Sequence, residues 1–254
     1  MMRNGWIVLA TMLGVALLAV MSPSAARAED AEAVAVGDLP ASVAEAAKKL
    51  CPGAEITAAK KEVDKDDQDQ VVEMDFTLTL TLKSGKVHEA ELDTKPDGTV
   101  KPAECDAKGP VGADDLPAAV ADAVKKLCPD GKIASAERKA RFRKDEVEAE
   151  YDVKLELAEG KAAEVRVRLL GADKVEDTRL TAPVAAADLP KCVIDVLKAA
   201  CPNAEIASAE KRTEAVGEKV RAEYRLELKA ADGKTVKADV RLADDGSLRR
   251  LEIQ

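Results

Sequence analysis

The chain has 254 residues and a formal net charge of −9, and 46% of its residues are hydrophobic but only 2% aromatic. An acidic surface repels phosphates, which argues against nucleic acid and anionic membranes as partners. Scarce aromatic side chains argue against carbohydrate platforms, nucleobase stacking and aromatic binding hot spots. The acidity favours a basic protein or a divalent cation as a partner, or it serves solubility alone.

The N-terminus has the layout of a secretory signal peptide. Arg3 precedes an apolar run from Trp6 to Met21, and Ala26-Arg27-Ala28 then supplies the small residues of a cleavage site. We predict a signal peptide over residues 1–28 and a secreted or periplasmic mature protein. An uncleaved membrane anchor is the alternative, although the run is shorter than the span of about 20 residues that a bilayer requires. No second hydrophobic segment follows, so we expect no membrane association after cleavage.

The rest of the chain contains an internal repeat. An Asp-Leu-Pro opening recurs three times, and each time a Cys-Pro pair begins thirteen residues after the Asp. The openings start at Asp38, Asp115 and Asp188, and the pairs start at Cys51, Cys128 and Cys201. Agreement at fixed spacing indicates repeated structural units. We predict copy one at 38–104, copy two at 115–180 and copy three at 188–254, with linkers at 105–114 and 181–187.

Each copy is predicted to fold as a helix followed by strands. Apolar residues recur at helical spacing from Leu39 to Leu50, Asp38 is placed to cap the helix, and the proline after Cys51 should end it. From Val72 to Leu82 the period changes to two, which is typical of a strand with one buried face. We therefore predict an α+β fold of three tandem modules, each one helix packed on a four-stranded antiparallel sheet.

A leucine-proline opening, a Pro-Gly-Ala turn, a tyrosine in the long strand and an Asp-Gly hairpin occur together in this chain. They are Leu39-Pro40, Pro52-Gly53-Ala54, Tyr151 or Tyr224, and Asp245-Gly246. In these features the chain resembles the PepSY-like family related to β-lactamase-inhibitor proteins. The resemblance covers nearly the whole mature chain and implies secreted or periplasmic binding modules without catalytic residues. The chain departs from the family by having cysteines before the turn prolines and few aromatics, which argues against inhibition of a β-lactamase.

Little in the sequence points to catalysis. His88 is the only histidine and aligns with Ala163 and Val236 on apolar strand faces, so a packing role is favoured over a triad or a histidine metal site. No glycine-rich phosphate loop, nucleophile elbow or paired-acid motif occurs. We predict that the protein is not an enzyme and has no cofactor.

The five cysteines form no Cys-x-x-Cys motif, which argues against redox catalysis. Cys51, Cys128 and Cys201 at the helix ends are predicted to be free thiols that pack as small hydrophobic residues. Cys192 and Cys201 lie too far apart along one helix to form a disulfide. Cys105 has no counterpart in the other copies, and a bridge to Cys51 or Cys128, or a dimer, stays open.

A cluster of four carboxylates offers candidate metal ligands. These are Asp64, Asp66, Asp67 and Asp69. An EF-hand loop would need glycine at its sixth position and flanking helices, whereas the sixth position here is Asp69 and the flanks are predicted strands. The cluster therefore predicts a solvated hairpin tip, with opportunistic calcium binding as the alternative.

The solvent face of the long strands, or a strand edge open to β-addition, is the predicted working surface. Its candidate residues are Glu73 and Asp75 in copy one, Glu148 and Glu150 in copy two, and Arg221 and Arg225 in copy three. We predict an exported, non-catalytic protein-binding or inhibitor-like repeat protein, with an unknown protein target outside the cytoplasm. The alternatives are an acidic divalent-cation-binding envelope protein and a structural spacer.

Overall fold

The computed structural model describes residues 31–217 and 219–254, with only the backbone of Glu159. The predicted signal peptide lies outside the described residues. Within them the helices are α1 (Ala41–Leu50), α2 (Ala118–Leu127) and α3 (Lys191–Ala200). The strands are β1 (Glu32–Val34), β2 (Glu55–Lys65), β3 (Val71–Thr81), β4 (Val87–Thr94), β5 (Asp106–Val111), β6 (Lys132–Arg143), β7 (Glu146–Glu156), β8 (Ala162–Leu170), β9 (Lys174–Pro183), β10 (Glu205–Val216), β11 (Lys219–Lys229), β12 (Thr235–Leu242) and β13 (Leu248–Ile253).

All thirteen strands form one antiparallel sheet in chain order, with β1 at one edge and β13 at the other. The prediction of three modules, each one helix on its own four-stranded sheet, is therefore wrong. Both segments predicted as linkers contain strand residues: β5 lies within the first, and the end of β9 lies in the second. β5 pairs with β4 on one side and β6 on the other, and β9 continues to Pro183 while pairing with β10. These two strands carry the hydrogen-bonded ladder from one copy into the next.

The first predicted linker contains Gly109 and Pro110, and both residues lie in β5. The ladder between β5 and β4 ends at Lys108, so Pro110 lies where β5 has a ladder only with β6. Proline is tolerated in a strand where no ladder needs its missing N–H group. A Gly-Pro pair can therefore stand inside a strand that joins two copies.

The predicted helical spacing is confirmed, because α1 covers Ala41–Leu50 and buries Val43, Ala46 and Leu50. The predicted capping is wrong. Pro40 is the N-cap residue and no side chain caps the helix, while Asp38 closes a short 3-10 turn before it. The other two helices begin in the same way at Pro117 and Pro190.

The helices contact the sheet at different strands: α1 contacts β4, β5 and β6, α2 contacts β8 and β9, and α3 contacts β13. Phe76, Leu78 and Leu80 of β3 are buried, and the residues between them are only partly exposed. We call the side opposite these buried residues the open face. One hydrophobic core runs from Val43 to Leu169 through copies one and two, and a separate core occupies copy three. None of the described helices has the length and apolar character needed to cross a bilayer.

Candidate functional site

One carboxylate of each long strand lies at the centre of a cross-strand row on the open face. In copies two and three this acid stands between two cations. The rows are Lys139, Glu150 and Arg168 in copy two, and Arg212, Glu223 and Arg241 in copy three. Arg168 lies 3.3 Å from Glu150, and Arg241 lies 3.3 Å from Glu223. These two rows neutralise their own central acid.

The row of copy one contains three acids. Asp75 of β3 pairs with Glu62 of β2 and with Asp93 of β4. Asp75 Oδ1 is buried and has no hydrogen-bond partner among the described atoms. The backbone plan is that of the other copies, so the difference lies in the side chains. We name the carboxylates of this region the acidic face; its members are Glu62, Asp64, Glu73, Asp75, Glu91 and Asp93.

The acidic face perturbs its own ionisation. Burial, followed by repulsion from Asp93 and Glu73, raises the pKa of Asp75 to about 6. Burial and the same kind of repulsion also raise the pKa of Asp93. Both shifts show that these carboxylates lack enough nearby positive charge to stabilise their ionised forms.

Asp93 of this row and two acids beside it come close enough to share a cation. One carboxylate oxygen each from Glu73, Asp93 and Glu104 lies within 4.8 Å of the others. Lys101 already pairs with Glu73, and its Nζ lies 3.4 Å from Glu104. The cluster is therefore partly neutralised by the chain's own ammonium group.

The residues predicted as calcium ligands lie at the hairpin between β2 and β3, and all four are exposed. Asp66 Oδ1 accepts hydrogen bonds from the backbone N–H groups of Gln68 and Gln70, both at 2.9 Å. Asp69 pairs with Lys65 at 3.0 Å. Asp66 and Asp69 thus hold the turn, and calcium binding here stays a prediction.

The predicted binding-face residues all lie on the open face. Glu73 and Asp75 belong to the acidic face. Glu148 is ion-paired with Arg141 at 3.1 Å. The two arginines predicted in copy three, Arg221 and Arg225, stand opposite Glu214 and Glu210. Sequence reasoning missed the acidic row, because its three members come from three different strands.

A concave region lies where copies one and two meet, and the sequence did not predict it. It is a cleft of about 540 Å³ between the end of α1, the turn before α2 and the strands beneath them. Cys51, Asp115, Arg138 and Tyr151 are among its lining residues. Arg138 is only 6% exposed, although it is charged. Its position between small apolar residues in a period-two pattern was the signal that could have found it.

Arg138 joins the two copies. Its Nε donates to the hydroxyl of Tyr151 at 2.9 Å, and its Nη2 donates to the carbonyl of Leu50 at the end of α1. The remaining nitrogen, Nη1, is buried without a hydrogen-bond partner among the described atoms. In copy three Lys211 occupies the equivalent position, with its Nζ 5.9 Å from the centroid of Tyr224.

His88 also spans this junction and is fully buried, in agreement with a packing role. Its Nε2 lies 3.0 Å from the carbonyl oxygen of Pro110, which can only accept, so Nε2 carries the proton. Nδ1 is then an acceptor for the thiol of Cys51 at 3.5 Å. Burial raises the pKa of Cys51 and lowers the pKa of His88. Both groups are held neutral, which argues against a reactive thiolate.

All five cysteines are free thiols. Cys105, for which several bridges were open, donates to the carbonyl of Lys101 at 3.2 Å. Burial raises the pKa of Cys105 to about 11, so it too is held as a thiol.

Comparison with known proteins finds no match: no family model, no curated protein and no solved structure matches the chain. The resemblance to the PepSY-like family therefore stays a prediction. The function has to be argued from the geometry of the acidic face and the cleft.

Proposed function

We propose that the chain is an exported, non-catalytic binding protein whose acidic face docks a cationic segment of a protein outside the cytoplasm. The observation that carries this proposal is the row formed by Glu62, Asp75 and Asp93. Export rests on the predicted signal peptide. The neutral, buried pair of Cys51 and His88 supports a function without nucleophilic chemistry.

Copies two and three show what the row of copy one lacks. Lys139 and Arg168 flank Glu150 from the neighbouring strands, and copy one has Glu62 and Asp93 at these places. A partner that presents two cationic side chains would restore the charge pattern of the other copies. It would also give Asp75 Oδ1 the donor that it lacks.

The spacing of the row suits a peptide or strand. Neighbouring strands lie about 4.8 Å apart, so the row spans roughly 10 Å. Alternate side chains of an extended segment project on the same side at about 6.6 Å intervals. Two alternate lysine or arginine side chains therefore reach across this row.

The test transplants the charge pattern of copy two into copy one. The variant Glu62→Lys with Asp93→Arg reproduces the flanks of Glu150. The matched control, Asp67→Lys with Asp130→Arg, changes the net charge equally at exposed turns. We expect the row variant to bind a hexalysine peptide at least tenfold more weakly in calorimetry at physiological salt, a loss of about 1.4 kcal/mol, and the control to bind like the wild type.

The same experiment distinguishes two other possible occupants of the acidic face. Stoichiometric heat with calcium chloride, lost in Glu73→Gln, would replace the protein partner by a divalent cation. Association of the chain with itself at low salt, abolished in the row variant, would identify a second copy as the occupant. Equal peptide binding by the row variant and its control would overturn the proposal.

A further inference from the structure

The cleft between copies one and two contains a buried cation with unused hydrogen-bonding capacity. A guanidinium group has five N–H donors, and Arg138 uses Nε and Nη2 for Tyr151 and Leu50. Nη1 has no partner among the described atoms, although Arg138 is almost wholly shielded from solvent. Burying a charge without full pairing is costly, so a ligand carboxylate at Nη1 would be bound strongly.

An unused acceptor lines the same cleft. Asp115 Oδ2 is buried and has no hydrogen-bond partner among the described atoms. It does not cap α2, whose N-cap residue is Pro117. Both Asp115 and Arg138 are described, and no ion pair joins them. A nitrogen without an acceptor and an oxygen without a donor thus belong to residues that line the same cleft.

The rest of the lining selects against a simple anion. Asp145, Glu146 and Asp173 stand exposed around the cleft, and Lys49 is the one further cation among the described lining residues. A ligand with only a carboxylate would be repelled by these acids. Val111, Val147 and Leu169, which also line the cleft, offer apolar contact to the body of a ligand.

We propose that this cleft binds a small zwitterion with an apolar body, whose carboxylate contacts Arg138 and whose ammonium group contacts Asp115. An apolar α-amino acid and a short apolar peptide both present this chemistry. The copy-three equivalents, Lys211 and Asp188, do not reproduce the site, because Asp188 is exposed. The site belongs to the first junction and is separate from the acidic face.

Four small molecules test the proposal on the mature chain by calorimetry and amide chemical shifts. L-leucine and dileucine carry both charges and distinguish the two sources. 4-Methylpentanoate keeps only the carboxylate, and 3-methylbutylamine keeps only the ammonium group. We expect at least one zwitterion to bind at least tenfold more tightly than either half-ligand, with shifts at the cleft. No binding of either zwitterion, or equal binding of a half-ligand, would overturn the proposal.

Substitutions of Asp115 and Arg138 test whether these side chains contact the zwitterion. Asp115→Asn keeps the side-chain shape and should weaken zwitterion binding at least tenfold. Arg138→Met should abolish it, and thermal melting checks that this variant folds. The matched control Asp188→Asn at the second junction should bind like the wild type. Unchanged affinity in Asp115→Asn would refute the assigned contact even if Arg138→Met proved unfolded.

Discussion

The two junctions between copies have the same strand plan but differ at three aligned positions. The first junction, between β5 and β6, has His88, Gly109 and Arg138, and the second, between β9 and β10, has Ala163, Ala182 and Lys211. One core spans the first junction, whereas copy three has a core of its own. The two junctions therefore differ at these side chains and also in the backbone, because β4 and β5 pair at three positions whereas β8 and β9 pair at seven.

The first junction places a large side chain beside a glycine, whereas the second has a small side chain at both positions. His88 of β4 and Gly109 of β5 are close neighbours, and the aligned residues of the second junction, Ala163 and Ala182, are both alanines. The imidazole contacts both Cys51 and Pro110, which an alanine cannot do. His88 thus links the first junction through polar contacts that Ala163 cannot make at the second.

The largest expected effect comes from filling the space beside His88. A Cβ atom at Gly109 would lie 2.6 Å from His88 Cδ2 and 2.7 Å from the carbonyl oxygen of Val87. Such overpacking against backbone leads us to expect Gly109→Ala to destabilise copies one and two by about 3 kcal/mol. Urea unfolding followed by amide hydrogen exchange measures the loss, with β10–β12 as an internal reference.

The double variant Gly109→Ala with His88→Ala reproduces the alanine pair of the second junction. We expect it to be more stable than the sum of the two single variants predicts, because removing the imidazole relieves the contact with His88 Cδ2, although the contact with the carbonyl oxygen of Val87 remains. The two sites should then show a coupling energy of about 2 kcal/mol in a double-mutant cycle. A double variant as unstable as the sum of the single variants would contradict this interpretation.

Replacing Arg138 by lysine, the residue at the equivalent position of the second junction, should have the next largest effect on stability. A lysine side chain at this position would not keep both hydrogen bonds, so we expect Arg138→Lys to cost about 2 kcal/mol. The reverse change, Lys211→Arg, serves as the control and should alter stability by no more than about 0.5 kcal/mol. Equal effects at the two junctions, measured by the same urea experiment, would show that Arg138 is not a special link.

The first junction should also be the pH-sensitive one. Burial lowers the pKa of His88 below its ordinary value of 6.5 and Arg138 lowers it further, while the hydrogen bond to Pro110 and the charge of Asp115 oppose this shift. Below pH 6.5 the unfolded chain takes up a proton that the folded chain resists, so stability is present above that pH and lost as the pH falls. We expect a loss of at most about 2 kcal/mol between pH 6.5 and 5.

The measurement compares urea unfolding of the wild type with that of the double variant His88→Ala with Gly109→Ala at each pH. The difference in stability between the two should shrink as the pH falls. A difference that does not change with pH would show that His88 is not the titrating group.

The sequence predicted the local elements better than their assembly. Helical spacing from Leu39 to Leu50 defined α1, and alternation after Val72 defined β3, because both patterns are set by neighbouring residues. The segment with Gly109-Pro110 is predicted as a linker but lies in a strand, since proline becomes acceptable only where the ladder to the neighbouring strand has already ended. That condition depends on register, which the local pattern does not contain.

The candidate sites were harder to predict for the same reason. The acidic row needs the register of β2, β3 and β4, and β2 contains an irregularity between Ile56 and Ala58 that shifts its pairing. The cleft needs copies one and two to share a sheet, which the expected modular fold excluded. Asp75 was nevertheless selected from the alternation alone, because every second residue of β3 must face away from the core.

The smallest expected effect comes from neutralising Asp75 or its equivalent Glu150. The resulting change in stability should have opposite signs in the two copies. The folded state raises the pKa of Asp75 to about 6, so its ionised form opposes folding, increasingly as the pH rises from 4 to 6 and fully above that. We expect Asp75→Asn to stabilise the protein at pH 7 by about 1 kcal/mol, after allowance for solvent screening, and the gain to vanish near pH 4. Glu150→Gln should instead destabilise it, since Glu150 loses ion pairs with Arg166 at 3.5 Å and Arg168 at 3.3 Å. Thermal melts of both variants at pH 7 and 4 provide the measurement. Destabilisation by both variants at pH 7 would mean that the acidic row is compensated within the chain and needs no cationic partner.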